Sequence, residues 1–249
     1  MKLLKIKKFL DKEIRIKKIP DSFVNGLQIA TKKNISKIGF AVDACISTFE
    51  KAKRKKIDFL ITHHGIKRKP KKYSIIAKNL FSFLKKNKLS LYSAHAPLDV
   101  HPKYGHNIGL AHMLKLEKIK KFGKYGKFYV GFTGNLSKPM KIQNVASKLN
   151  RKLKTKCKVF DLKKKKIKTI AIISGAGAKW MEEAFIKKID CLITGEIRLG
   201  DFRRMHDLKQ NIIVAGHYAT EKVGLKILEK LIKKNFDIPC IFIDDKTKY

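Results

Sequence analysis

The chain has 249 residues, enough for one large or two small domains, and its 44% hydrophobic content is that of an ordinary globular protein. Its longest apolar runs, such as that around Ile212 to Ala215, are too short to span a bilayer, which argues against a membrane protein. Charge is the outlier: 59 Lys and Arg face 20 Asp and Glu, a formal +39 that repels itself unless polyanions or counter-ions are near.

Seven of the 59 basic residues are arginine, which leaves 52 lysines. Lys-rich, Ile-rich and Gln-poor composition also marks thermophiles, but that pattern brings glutamate along with lysine, and here it does not. Nucleic acid or another polyanion is therefore an expected partner. The four cysteines, Cys45, Cys157, Cys191 and Cys240, show no CxxC pairing, which fits reduced, buried thiols in a cytoplasm rather than disulfides or a cysteine zinc site.

In chain order, MKLLKIKKFLDKEI interrupts its apolar residues with lysines at helical spacing and predicts an amphipathic first helix, not a signal peptide. Residues 35–62 read as strand (ISKIGFAV), helix (about Ala44 to Lys55) and strand (IDFLIT). Tyr73 to Asn87 reads as helix, Leu89 to Ala94 as strand and Asn107 to Leu116 as helix. The segment 120–160 reads as strands and turns over KFGKYGKFYVGFTG, then a helix from Pro139 to Leu149. KKKKIK, Lys163 to Lys168, is most simply a solvated turn. After it come a strand (IKTIAIIS), a helix (Ala178 to Lys187), a strand (IDCLIT), a further helix, a strand (NIIVAG) and a long helix from about Tyr218 to Lys233. Strands alternating with helices predict an α/β protein with many parallel strand neighbours.

The chain also repeats itself. KIDFLITHHG, Lys56 to Gly65, returns as KIDCLITGEI, Lys188 to Ile197, with Glu50 falling on Glu182, Ala52 on Ala184 and Ile57 on Ile189 at an offset of 132. LYSAH, ending at His95, falls on IVAGH, ending at His217, at an offset of 122, and four residues past each histidine stands an acid, Asp99 and Glu221. Two similar α/β halves follow, residues 1–118 and 119–249, the second including 120–160 as an extra strand and helix.

In open α/β sheets, sites form at the C-terminal ends of parallel strands, where His63, His64, His95, Asp99, His217 and Glu221 all fall. Adjacent His63 and His64 on a strand should point to opposite sides, which suits two ions side by side better than one chelated ion. A dinuclear site usually needs a bridging carboxylate as well, and Glu221 qualifies, since His217 and Glu221 at i and i+4 share one helix face. Asp99 supplies a further oxygen. Each residue also has a plainer reading: His95 as a hydrogen-bonded helix-entry residue, Asp99 as a turn former, Glu221 as a partner of the helix dipole, His101 and His106 as loop residues. Two adjacent imidazoles after a buried strand are the hardest to explain structurally. Past HHG, Lys67, Arg68, Lys69, Lys71 and Lys72 put five positive charges into six residues, which suits an anionic, phosphate-bearing ligand or a solvated loop.

FVNGLQI, DFLITHHG, YSAHAPLDV, CLITGEIR and AGHYATEKVG resemble, in order from about residue 20 to 225, the motifs of the NIF3-like family, also called GTP cyclohydrolase I type 2 homologs, in its short form without the inserted domain. The resemblance implies a dinuclear centre of two divalent ions in the cleft between two similar α/β halves. Its ligands would be His63, His64, Asp99, His217 and Glu221, with Glu221 bridging, and the assembly a ring-like homohexamer. LITGEIRLGDFRRMH departs from the family pattern, which leaves Glu196 and His206 without an implied role.

Two functions are expected from these residues. One is binding of single- and double-stranded DNA without sequence specificity, lysines contacting phosphates while the scarcity of arginine argues against base readout. The alternative is a metal-dependent hydrolase of nucleotide-like substrates, with His95 as a proton shuttle near the metals. Histidine with carboxylate suits Zn, Fe, Mn, Ni or Co alike.

Overall fold

The computed structural model describes residues 1–68, 74–163 and 165–245. The first stretch forms α1 (Leu3–Glu13), β1 (Gly26–Ile29), β2 (Ile38–Asp43), α2 (Ile46–Arg54) and β3 (Phe59–His64). Then follow α3 (Ile75–Lys86), β4 (Ser90–Ser93), α4 (Ala96–Asp99), α5 (His106–Met113), β5 (Glu117–Tyr125) and β6 (Phe128–Met140). The remainder gives α6 (Ile142–Leu153), β7 (Lys158–Phe160), β8 (Ile167–Ile173), a 3-10 turn (Gly177–Trp180) and α7 (Met181–Ile186). Last come β9 (Cys191–Thr194), α8 (Leu199–Asp207), β10 (Asn211–Val214), α9 (His217–Asn235) and β11 (Cys240–Phe242). Among the described residues no helix is long and apolar enough to cross a membrane, and all four cysteines are free thiols.

The chain divides into two compact units, Met1–Leu98 with Gly224–Tyr249, and Asp99–Val223. In the first, the sheet runs β1-β4-β3-β2-β11, parallel from β4 to β11 with β1 antiparallel at the edge. Its helices bury apolar residues at helical spacing, α1 through Leu3, Ile6 and Leu10. Phe49, Leu60, Leu84 and Leu91 pack together on the sheet. In the second unit the order is β5-β6-β8-β9-β10-β7, with β8, β9 and β10 parallel. Phe122, Met181, Leu192 and Met205 share its core.

The alternation and the two α/β halves match the sequence reading, but the division does not fall at residue 118. The chain end returns to the first unit because β11 pairs in parallel with β2, and a three-residue strand carries almost no periodic signal. Residues 99–118 belong to the second unit, where buried Asn107 ties α5 to the strands: its Nδ2 donates to Val130 O at 2.7 Å and its Oδ1 accepts from Ser174 N at 2.6 Å. Pro139, expected to open a helix, lies near the end of β6, and α6 begins at Ile142.

The KID triplet repeats because it builds the same turn twice. Lys56 and Lys188 both take a left-handed φ of 53° after their helices. Ile57 N then donates to Ala52 O, and Ile189 N to Ala184 O, closing the helix end each time. The aspartate that follows pins the entry to the neighbouring strand. Asp58 accepts from Ser36 N at 2.8 Å and from the Lys32 ammonium, while Asp190 accepts from Lys168 N and Thr169 N at 2.9 and 2.8 Å.

Candidate metal-ligand groups

In the first unit, β3 ends in His63 and His64, and β4 leads directly into His95. Ring atoms of the three histidines lie within 4.8 Å of one another. The rings of His63 and His64 are themselves 4.8 Å apart, so they converge instead of pointing to opposite sides as strand alternation predicted. The physical reason is anchoring to different neighbours. His63 is fully buried, with Nδ1 2.9 Å from Ala94 O at the end of β4. His64 stands opposite Asp43 in the β2–β3 pairing, its Nδ1 2.7 Å from Asp43 Oδ1.

His95 is fixed by two residues of the FVNGLQI region. Its Nδ1 lies 3.0 Å from Asp21 Oδ1, and its backbone N–H donates to Asn25 Oδ1 at 2.7 Å. Burial would raise the Asp21 carboxyl, but hydrogen bonds with His95 and Asn25 and the Phe23 backbone outweigh it and hold the group down at about 2. His95 is thus a hydrogen-bonded helix-entry residue and also a member of the histidine group; one reading does not displace the other.

The second unit carries the oxygen donors. Asp99 ends α4, accepts from Ser174 Oγ at 3.3 Å, and offers a carboxylate oxygen within 4.8 Å of a ring nitrogen of His106, a buried residue opening α5. His217 and Glu221 share one face of α9 as their spacing predicted, Nε2 to Oε1 3.0 Å. His217 Nδ1 meets Glu196 Oε2 at 2.7 Å. Burial would lower the His217 pKa, but its bonds to Glu221 and Glu196 reverse the balance and push it up from 6.5 to about 9. Glu221 itself is almost wholly buried.

The partners of these four rings decide their tautomers. A carbonyl or carboxylate oxygen only accepts, so Nδ1 of His63, His64 and His95 carries a proton, as does Nδ1 of His217, whose Nε2 also meets a carboxylate, Glu221 Oε1, at 3.0 Å. Metal-ligating histidines are held in this way, by an oxygen acceptor on the other ring nitrogen. His101 is the opposite tautomer: its Nδ1 accepts the Lys103 and Tyr104 backbone N–H groups, at 3.2 and 3.0 Å. Imidazole nitrogens and carboxylate oxygens, with no sulfur, are the donor types that fit divalent ions of borderline hardness.

In the second copy the place of His63 has no room for a side chain. Gly195 occupies the place of His63, and a Cβ there would sit 2.7 Å from Gly175 O and 2.8 Å from His217 Cα. Gly175, at φ +59°, is equally constrained, since its Cβ would fall 2.2 Å from Glu221 Oε1. Glu196, in the place of His64, has become the acceptor for the His217 ring.

Of the basic loop, Arg68 lies with its guanidinium 4.0 Å from the Phe23 ring centroid, and Phe23 packs on His95 at 4.3 Å and on His64 at 5.7 Å. The Lys67 ammonium lies 5.6 Å from the Phe81 ring. Lys69, Lys71 and Lys72 lie outside the described residues. His206 is exposed on α8 with its ring 4.7 Å from Phe202.

Sequence reasoning did not name Asp21 or Asp43, left Glu196 without a role, and read His106 as a loop residue although it is buried at the start of α5. The first two act through chain crossings far apart in sequence, which no local spacing reveals. Glu196 did carry a signal, as the counterpart of His64 in the repeat.

A family model described as Duf34/NIF3 (NGG1p interacting factor 3) matches residues 1–248. A Pyrococcus abyssi protein named GTP cyclohydrolase 1 type 2 homolog is 41% identical over 242 residues, 96% of either chain. Among solved structures, the protein ybgI, described as of unknown function, superposes with a TM-score of 0.91 at 27% identity, covering 99% of both chains. The protein TTHA1606 from Thermus thermophilus does so with a TM-score of 0.87 at 31% identity over all of both chains.

Proposed function

Because the chain belongs to the DUF34/NIF3 family, we propose that His63, His64, Asp99, His217 and Glu221 would hold two divalent ions and that the protein hydrolyses a nucleotide-like substrate. The observation that supports this reading is that His63, His64 and His217 are each anchored through Nδ1 to an oxygen acceptor, the way metal-ligating histidines are held. Bound ions would supply Lewis acidity toward a purine ring or a phosphate. Arg68 and Lys67 would attract the substrate's phosphates, and His95, oriented by Asp21, would accept a proton at Nε2. The name carried by the Pyrococcus abyssi relative supports a nucleotide as substrate class.

The test is metal analysis of the purified protein, followed by GTP turnover of the loaded wild type and of the His63→Ala, His64→Ala double variant. The reading expects about two ions per chain and turnover that the double variant loses. Protein that takes up no divalent ion, or turns over GTP equally well without the two histidines, overturns it.

A second reading rests on a different observation, the formal charge of +39. In it the chain binds single- and double-stranded DNA without sequence specificity, its lysines displacing counter-ions from phosphates. A homo-oligomer, a hexamer by the family resemblance, would multiply that positive surface, and a cytoplasmic location is part of the same proposal. A gel shift repeated over a salt series tests it, with affinity falling steeply as salt rises. Absent or salt-indifferent binding would end it.

A further inference from the structure

We infer that the β5–β6 hairpin is a stacking platform for single-stranded DNA, an inference that rests on the nucleic-acid reading above and names where on the chain the bases are taken up. β5 is the outer strand of its sheet. It carries exposed Lys121 and Lys124, and exposed Lys127 stands in the turn. Its last residue, Tyr125, is 61% exposed, and Tyr129, directly across from Lys124 in the β5–β6 pairing, is 37% exposed.

On the Tyr125 side stands Trp180, whose indole N–H donates to Lys124 O at 3.4 Å, while Tyr129, paired with Lys124, faces the other side of the hairpin. The Lys179 ammonium lies 4.3 Å from the Trp180 ring and 5.5 Å from the Tyr125 ring. The Lys179 ammonium thus lies over both the Tyr125 and the Trp180 rings at this sheet edge. Rings left in water give up the burial that ordinarily stabilises them. A site that binds unpaired strands needs this combination: ring faces on which successive bases stack and ammonium groups for the phosphates between them. The lysines supply charge without base selection, in keeping with the sequence-tolerant binding already proposed. A duplex, whose bases are already stacked on one another, has no use for the rings.

Trp180 is the chain's one tryptophan, so its fluorescence reports this site alone. The experiment titrates the full-length protein at low salt with an oligothymidylate of about 15 nucleotides, following emission together with a gel shift. The platform expects quenching in step with the shift. It also expects roughly tenfold weaker binding in the Tyr125→Ala variant, with binding retained in Tyr125→Phe. A shift that leaves Trp180 emission unchanged, with the alanine variant binding as wild type does, overturns the platform while the basic-surface reading stands. Equal quenching by a duplex of the same length, or tighter binding of an oligouridylate, overturns the assignment to single-stranded DNA. No shift at any salt concentration overturns the platform and the nucleic-acid reading together.

Discussion

Asp43 stands directly opposite His64 in the parallel pairing of β2 and β3, its carboxylate 2.7 Å from the imidazole Nδ1. Adjacent parallel strands therefore deliver both the candidate ligand ring and the group that fixes its tautomer. Asp43→Asn replaces a charged acceptor with an amide that accepts more weakly and also donates. Metal affinity should fall roughly 10- to 100-fold with the fold intact, measured by competition with a chelator of known affinity. Unchanged affinity would mean that the His64 ring is held by the backbone alone.

Glu196 makes the equivalent contact with His217 in the other unit, and Glu196→Gln should weaken metal binding by a similar factor. The same change removes one of the two acids that raise the His217 pKa. Its titration, followed by the imidazole proton resonance in metal-free protein, should therefore move down from about 9.

The sign of the pH dependence follows from that raised value. In metal-free protein the folded pKa of His217 is about 9 against an ordinary 6.5, so its contribution to stability is fully present below pH 6.5 and is lost as pH rises through 9. Metal uptake would work in the opposite sense, because a ligating ring must be neutral. Between pH 6.5 and 9, affinity should climb by up to about tenfold per pH unit and then level off. Calorimetry in buffers of different ionisation enthalpy should find a proton released on binding at neutral pH.

Gly195→Ala places a methyl group 2.7 Å from one backbone oxygen and 2.8 Å from a backbone carbon, and neither neighbour is a side chain that can swing away. The cost should be about 1–3 kcal/mol, read from denaturant unfolding. Loss of metal affinity is expected with it, because the displaced backbone belongs to His217.

Asp58 and Asp190 hold the same corner in the two copies, so Asp58→Ala and Asp190→Ala should each lower stability by about 1–3 kcal/mol by leaving strand-entry N–H groups without their acceptor. For Asp58, burial raises the pKa, but the bonds to Lys32 and Ser36 more than offset it, so the folded value lies below 3.8. Its contribution is present above that pH and is lost as pH falls below it. Acid unfolding of Asp58→Ala should accordingly lack part of the wild-type pH dependence in that range.

The alternation of strands and helices, the repeat and its KID turn, and the placing of the five candidate ligand residues at strand ends and on one helix face were all legible in the sequence by itself. Each depends on periodicities of two or 3.6 residues or on local turn chemistry, which a linear text records. Tertiary structure decided the rest. It brought Asp21 to His95 and Asp43 to His64 across 74 and 21 residues, turned the adjacent rings of His63 and His64 toward each other, returned β11 to the first sheet, and left Gly195 no room for a side chain. Those outcomes depend on strand register and on how closely separate backbones approach, and neither is written in the spacing of residues along one chain.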